Sequence, residues 1–275
     1  MAQILDGKKL SQELKEGLKI EIENLKLKFN RVPGLAVVQV GNVTASSVYV
    51  KAKTKAAKEV GICVFDHHLE ESSKQEDLIN LIDKLNHNEN VDGILVQLPL
   101  PKTINEEVVL NSIIPEKDAD GFHPLNVGKL SINHQNDESL LIPCTPYGCL
   151  LLLRELNTNL AGKNAVVVGR SNIVGKPMAQ LLLKESCTVT IVHSKTLNIE
   201  SICRNADILV AAMGKPEFIN KDWVKEGAII IDVGINRIQL NEYKSKLVGD
   251  VLFNDVERLV SAISPVPGGV GPMTI

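Results

Sequence analysis

Aromatic residues make up only 3% of this chain, so it offers no platform for stacking nucleobases. Neither charge sign dominates: 30 Lys and Arg against 33 Asp and Glu leave a net charge of −3, which excludes the basic field of a nucleic-acid binder. No apolar run approaches the ~18 residues of a membrane span, and the amino terminus has no basic-then-apolar leader. The five cysteines, Cys63, Cys144, Cys149, Cys187 and Cys203, are odd in number and form no CxxC pair. That argues against a zinc ribbon or a disulfide framework and for reduced core thiols. Together these absences predict a cytoplasmic protein without nucleic-acid or membrane partners.

What the chain does have is apolar mass. At 44% apolar it builds real cores, and its 275 residues make one large or two medium domains. Leu10, Leu14, Leu18, Ile22 and Leu25 fall on one side of a helix over 7–29. Strand and helix then alternate: strands over 35–40, 62–65 and 93–97, helices over 47–61 and 75–85. Between 114 and 146 the pattern dissolves into Pro, Gly, Asn and Asp, as in an interdomain segment. A helix over 147–156 leads into a second unit, with strands over 165–168, 188–192, 208–211 and 228–232, a helix starting near Pro177 and a surface hairpin over 236–246. The predicted fold is two α/β domains with parallel sheets, 1–120 and 121–275, the second Rossmann-like.

Four lysines stand close together at Lys51, Lys53, Lys55 and Lys58. At about 100° per residue, Lys51, Lys55 and Lys58 share one helical face, a solvated stripe. Lys53 points the other way, among Tyr49, Ala56, Ala57 and Val60. A lysine on that apolar face snorkels, finds a partner or loses its proton. The segment alone favours snorkelling; the alternative is a catalytic lysine with Tyr49 one turn before it.

Gly169-Arg170-Ser171-Asn172-Ile173-Val174-Gly175-Lys176-Pro177 follows an apolar strand and opens a helix, where a glycine turn presents N–H groups to a pyrophosphate. Ser171 stands where the usual second glycine would be, and a plain tight turn is the competing reading. The next strand ends in His193-Ser194-Lys195-Thr196, without the carboxylate that holds an NAD ribose. With Arg170 in the first turn, this predicts NADP over NAD. Gln97 ends a strand ahead of two prolines and is either a backbone-satisfied loop residue or a partner for a ligand or Lys53. Asp118 and Asp120, with no histidine at ligand spacing, read as a turn, and no metal is expected; His123 reads as structural. Three glycines and three prolines between Ser264 and Pro272 make a stiff, sharply bent loop that permits close approach by a ligand.

Jointly these segments resemble a known family over essentially the whole chain. They are Tyr49-x-x-x-Lys53, Asp92-Gly-Ile-Leu-Val-Gln-Leu-Pro-Leu-Pro101, Lys117-Asp-Ala-Asp120-Gly-Phe122, Pro143-Cys-Thr-Pro146, Gly169-Arg-Ser-Asn-Ile-Val-Gly175, Asp232-Val-Gly-Ile-Asn236 and Pro265-Val-Pro-Gly-Gly-Val-Gly-Pro-Met-Thr274. The chain is similar to bifunctional methylenetetrahydrofolate dehydrogenase/cyclohydrolases of one-carbon metabolism. The resemblance implies oxidation of 5,10-methylenetetrahydrofolate by NADP, then hydrolysis of the methenyl product to 10-formyltetrahydrofolate, with the folate in a cleft between the domains. It implies that Lys53 handles protons in the hydrolysis, Gln97 holds and tunes it, Tyr49 packs on the aminobenzoyl ring and Asp120 anchors the pterin. Val96, Leu98, Pro267, Gly268 and Gly269 would line the folate site. Gly169, Arg170, Ser171, Ser194 and Ile235 would contact NADP, and the protein would be a homodimer. A neutral amide beside Lys53 suits proton exchange, whereas a carboxylate would oppose it. Two other readings are a dehydrogenase that has lost the hydrolytic step and a noncatalytic NADP- or folate-sensing protein. Retention of Tyr49, Lys53 and Gln97 together argues against the first, and a lysine held on an apolar face has little use in the second. In one departure, family members continue past Thr274 into a final helix, whereas this sequence ends at Ile275.

Overall fold

In the computed structural model the described residues are 2–42, 44–132, 140–241 and 244–275, less the side chains of 44–46. The elements are β1 (Gln3–Ile4), α1 (Gly7–Phe29), β2 (Gly34–Val40), α2 (Thr44–Val60), β3 (Cys63–Leu69), α3 (Gln75–Asn86), β4 (Gly93–Val96), α4 (Glu106–Ser112) and α5 (Pro124–Ile132). After these come α6 (Cys144–Arg154), β5 (Asn164–Val168), α7 (Gly175–Lys184), β6 (Thr188–Val192), α8 (Ile199–Cys203), β7 (Ile208–Ala211) and β8 (Ile229–Asp232). The chain closes with β9 (Asn236–Asn241), β10 (Lys244–Val248), α9 (Phe253–Val256), β11 (Ala262–Ile263) and α10 (Val270–Thr274).

Two compact units result: Gln12–Ile142 with Ile275, and Met1–Ser11 with Pro143–Thr274. The division falls within α1 and at Pro143, not at the 120/121 boundary expected from composition. The reason at the amino end is pairing: β1 runs parallel to β11, which ties the first residues to the last strand. Two residues carry too little pattern for such a strand to be read from sequence.

In the amino-terminal unit β2 lies between β3 and β4, all parallel. Strand β2 is buried along nearly its whole length, which is why it is apolar from Leu35 to Val40 apart from Gln39, whose Nε2 donates to the Gly41 carbonyl at 3.0 Å. Its side chains Ala36, Val38 and Val40 pack with Leu78 and Ile82 of α3 and Ile94 and Val96 of β4. Strand β3 runs on past Phe65 through Asp66, His67 and His68, because at the sheet edge alternate side chains face solvent. Helix α4 starts at Asn105, whose side chain accepts from the Glu107 and Val108 N–H groups at 3.0 and 3.3 Å; a cap of this kind stabilises by about 1 kcal/mol.

The stretch expected to be irregular contains helix α5, with Pro124 at its first position. It escapes an apolar-pattern search because one of its two buried residues is polar: Asn126 and Leu130, one turn apart, face inward. Residues 133–139 of that stretch, and 242–243 of the predicted hairpin, lie outside the described residues. The rest of the hairpin is the antiparallel pair β9–β10. Of the stripe on α1, Leu10 and Ile22 are buried, whereas Leu14, Leu18 and Leu25 stay exposed. Cys149, Cys187 and Cys203 are core thiols as expected, but Cys63 is exposed on β3.

The larger unit holds a six-stranded sheet in the order β1-β11-β8-β7-β5-β6, parallel throughout. Strand β5 has β6 on one side and β7 on the other, so the winding direction reverses there. Such a switch point opens a crevice at the carboxyl ends of the two strands.

Leu78 is fully buried at the centre of the amino-terminal core. Leu78→Ala is expected to destabilise that unit by about 2–5 kcal/mol, read as a lower urea midpoint in circular dichroism. A loss under about 1 kcal/mol would contradict this packing.

Candidate active site

Helix α2 turns Ala57 and Val60 into the core, and Lys53 projects near that side. Its side chain is 12% exposed, and its Nζ lies 4.0 Å from Asp120 Oδ1, whose side chain is equally covered. Lys53 therefore does not snorkel. It meets a carboxylate, a neighbour not expected from the residues around it. Burial raises the Asp120 carboxyl most, the Lys53 ammonium lowers it and Asp118 raises it, and together they leave it at about 6. Tyr49, one turn before Lys53, is half-buried, and that burial raises its phenol.

Asp120 reaches this place through a short parallel extension of the sheet. Asp118 bridges Ile94 of β4, and the Ala119 N–H donates to the Ile94 carbonyl at 3.2 Å. By that register Asp120 is level with Val96 and one residue short of Gln97. Asp118 itself is scaffold: its Oδ2 accepts from the His123 N–H at 2.8 Å and from Asn126 Nδ2 at 2.9 Å. His123 accepts from the Leu125 N–H at the start of α5, in keeping with a structural role.

Gln97 follows β4, its N–H donating to the Val38 carbonyl. Its Nε2 donates to the Leu98 carbonyl at 2.6 Å, while its Oε1 is buried with no partner among the described residues. A buried orphan acceptor costs roughly 1–3 kcal/mol, so this oxygen is primed for a donor. Val96 is part of the core and Leu98 is half-buried. On the opposite side of α2, Lys51, Lys55 and Lys58 border an open groove of about 920 Å³ shared with His67 and His68. Lys55 and Lys58 there are paired with Glu59 and Asp66 at 3.7 and 3.6 Å, so the stripe is solvated and largely neutralised.

In the other unit the switch point carries the glycine turn. Gly169 has φ +131°, and a Cβ there would sit 2.2 Å from the Ala212 carbonyl oxygen after β7. A Cβ on Gly175 would sit 2.3 Å from the Gly169 carbonyl oxygen, so both positions need glycine for close approach. Ser171 explains its place in the motif. Its hydroxyl accepts the Val174 and Gly175 N–H groups at 3.1 and 3.2 Å, capping the start of α7 from the turn before it. The donors left over are the turn's own N–H groups at 170–173, which have no partner among the described residues. Arg170 is exposed and makes no hydrogen bond or ion pair among them. Ser194 is exposed after β6, where the His193 N–H donates to Thr196 Oγ1, and Ile235 is exposed after β8. Unpaired turn donors, a glycine crevice and a partnerless guanidinium fit a dinucleotide bearing an extra phosphate. Pro267, Gly268 and Gly269 form the bend before α10; Gly268 has φ +110°, and its carbonyl accepts the Lys8 N–H at 3.1 Å.

Comparison with known proteins agrees with this division. Residues 5–120 match the profile of the tetrahydrofolate dehydrogenase/cyclohydrolase catalytic domain, and residues 143–275 match that of its NAD(P)-binding domain. The chain belongs to the tetrahydrofolate dehydrogenase/cyclohydrolase family. Among its relatives, the bifunctional protein FolD of Acetivibrio thermocellus is 57% identical over 274 residues, covering 100% of this chain and 93% of the relative. The bifunctional FolD of Campylobacter jejuni superposes with a TM-score of 0.94 at 47% identity, covering 100% of this chain and 94% of that one. The Trypanosoma brucei FolD, solved with NADP cofactor and an inhibitor, gives 0.94 at 39% identity, covering 99% and 93%.

Sequence reasoning missed a structural pair, Asp232 of the segment Asp232–Asn236 and Asp250, both buried. The available signal was an aspartate closing the run Ile229-Ile-Ile-Asp232 and another set in Leu247-Val-Gly-Asp250-Val-Leu252.

Because Lys53 lowers the Asp120 carboxyl, Lys53→Met is expected to move its titration midpoint upward from about 6. The side-chain carboxyl ¹³C shift of Asp120 measures it, and an unmoved midpoint would show that the two groups are not electrostatically coupled.

Proposed function

We propose that Lys53, Gln97, Tyr49 and Asp120 carry the folate chemistry of this chain, and that the turn at 169–171 with Ser194 and Ile235 binds its NADP. The chain is a bifunctional methylenetetrahydrofolate dehydrogenase and methenyltetrahydrofolate cyclohydrolase. NADP, when bound, accepts the hydride from the bridging carbon. The observation that carries the reading of the site is the shielded Lys53–Asp120 pair, with Asp120 one residue short of the level of Gln97, whose buried oxygen has no partner among the described residues.

In this reading Asp120 accepts hydrogen bonds from the pterin, a pairing that rejects analogues lacking those donors. Pterin donors also draw Asp120 away from the ammonium, and Gln97 Oε1 is available to take up a Lys53 hydrogen. Lys53 then stands over the bridging carbon as proton carrier. Water adds to the methenyl carbon, one of its protons passes through Lys53, and the ring nitrogen is protonated as its bond to that carbon breaks. The other proton of the water leaves to solvent, and its oxygen stays in the formyl group. Tyr49 stacks on the aminobenzoyl ring and limits the lysine's swing. At the cofactor turn, Arg170 and Ser194 hold the 2′-phosphate and the N–H groups at 170–173 hold the pyrophosphate. The protein acts as a homodimer in the cytoplasm; among the described residues no helix is long and apolar enough to cross a membrane.

Two substitutions test the assignment. Lys53→Met is expected to lower methenyl hydrolysis by at least a hundredfold, general acid–base catalysis being worth about 10²–10⁴, with NADP affinity unchanged. The loss of methenyl absorbance reads the first and calorimetry the second; full hydrolysis in the variant removes Lys53 from the mechanism. Arg170→Ala is expected to raise the KM for NADP about tenfold or more, a charge-assisted hydrogen bond being worth roughly 1.5–3 kcal/mol, while leaving that for NAD nearly constant. Equal losses for both cofactors would show that Arg170 does not contact the 2′-phosphate.

A further inference from the structure

The cofactor crevice has two walls. One is the turn after β5, with Arg170. The other is formed by the loops after β7 and β8, with Met213, Gly214, Lys215, Gly234 and Ile235. Behind that second wall sit two buried carboxylates. Asp250 is fully buried. Its Oδ2 accepts from the Met213 and Gly214 N–H groups at 2.7 and 2.9 Å, and its Oδ1 accepts from the Lys215 N–H at 2.8 Å and Asn236 Nδ2 at 2.9 Å. Asp232, at the end of β8, accepts the Gly234 and Asp250 N–H groups on Oδ1 at 3.0 and 2.9 Å, and the Val251 N–H on Oδ2 at 2.9 Å. Seven donors therefore converge on two side chains. They come from the loop after β7, the loop after β8 and the segment after β10.

The backbone is shaped around these carboxylates. A Cβ on Gly234 would lie 2.3 Å from Asp250 Oδ1, and one on Gly249 would lie 1.8 Å from Asp232 Oδ2. Each carboxylate thus occupies the space left by a glycine on a neighbouring segment. Ile235, the residue of the second wall expected at the cofactor, is exposed between Gly234 and Asn236, and both of those are held by the pair.

A dinucleotide lies across a switch point, one half on each side. With the 2′-phosphate half at Arg170, the nicotinamide half falls to the β7–β8 side. We propose that Asp232 and Asp250 are positioning residues for the nicotinamide half of the cofactor: without touching it, they lock the 213–215 and 233–236 loops into the wall it rests on. This rests on the cofactor placement given above. An asparagine at 250 keeps the shape but offers one oxygen to four donors and turns an NH2 toward some of them, so one loop must move away.

The experiment compares wild type with Asp250→Asn and, separately, Asp232→Asn. Calorimetry gives affinities for NADP and for 2′,5′-ADP, which carries only the phosphate-bearing adenosine half. Both enzyme activities are measured alongside. In the variants NADP affinity and dehydrogenase kcat are expected to fall at least tenfold, with 2′,5′-ADP affinity and cyclohydrolase activity within twofold of wild type. The cyclohydrolase activity reports the integrity of the fold without calling on the dinucleotide. Parallel loss of both affinities, or of both activities through unfolding, shows a purely structural role and overturns the proposal, as does unchanged NADP affinity in both variants. If wild type itself bound both ligands but oxidised no methylenetetrahydrofolate, the functional reading would fail, and the affinity comparison would still decide this one.

Discussion

Parallel pairing is the constraint on which the rest of this structure depends. In each of the two parallel sheets every strand points the same way, so all carboxyl ends share one edge and the loops that leave them become neighbours. That geometry brings Gln97 and Asp120 to one end of β4 and its extension. It also sets the turn after β5 against Ala212 after β7. The chemistry then follows from which polar groups are stranded at those edges and how fully each is satisfied.

Two buried aspartates show the contrast. Asp250 accepts four hydrogen bonds, and its surroundings leave it nothing further to do except hold. Asp120 has no hydrogen bond among the described residues. It has one cation at 4.0 Å and a like charge in Asp118, and together with burial these leave it at about 6. The saturated carboxylate is framework, and the unsaturated one is where a ligand with donors gains most. The Gln97 oxygen belongs to the second kind. Desolvation supplies the driving force in each case, and the count of donors decides the use.

Much of this was legible in the residues. The runs that form β5, β7 and β8 are almost continuous Val, Ile, Leu and Ala because both faces are covered, and Gly169 and Gly175 are written into the sequence because a Cβ at either would strike backbone. Helical periodicity picked out Lys53 as the lysine on the wrong face. Periodicity names a face, however, not what lies across from it, so the Asp120 carboxylate beside Lys53 had to come from the fold. The same limit hid the Asp232–Asp250 pair, whose partners are 18 residues apart in sequence, and α5, whose inward face includes an asparagine. Ser171 looked like a defect in a glycine motif. It is the helix's own cap, which moves the free donors from α7 to the turn before it.

The pairing of β1 with β11 has a consequence for how the molecule is made. Gln3 and Ile4 are synthesised long before their strand partners, Ala262 and Ile263. Gly7 likewise has as its close neighbour the carbonyl of Gly269, 1.7 Å from where a Cβ would be. The larger unit is therefore discontinuous in time as well as in sequence. The segment Gln12–Ile142 can collapse while the other unit still lacks an edge, and β1 waits until β11 has been made for the contact that fixes it.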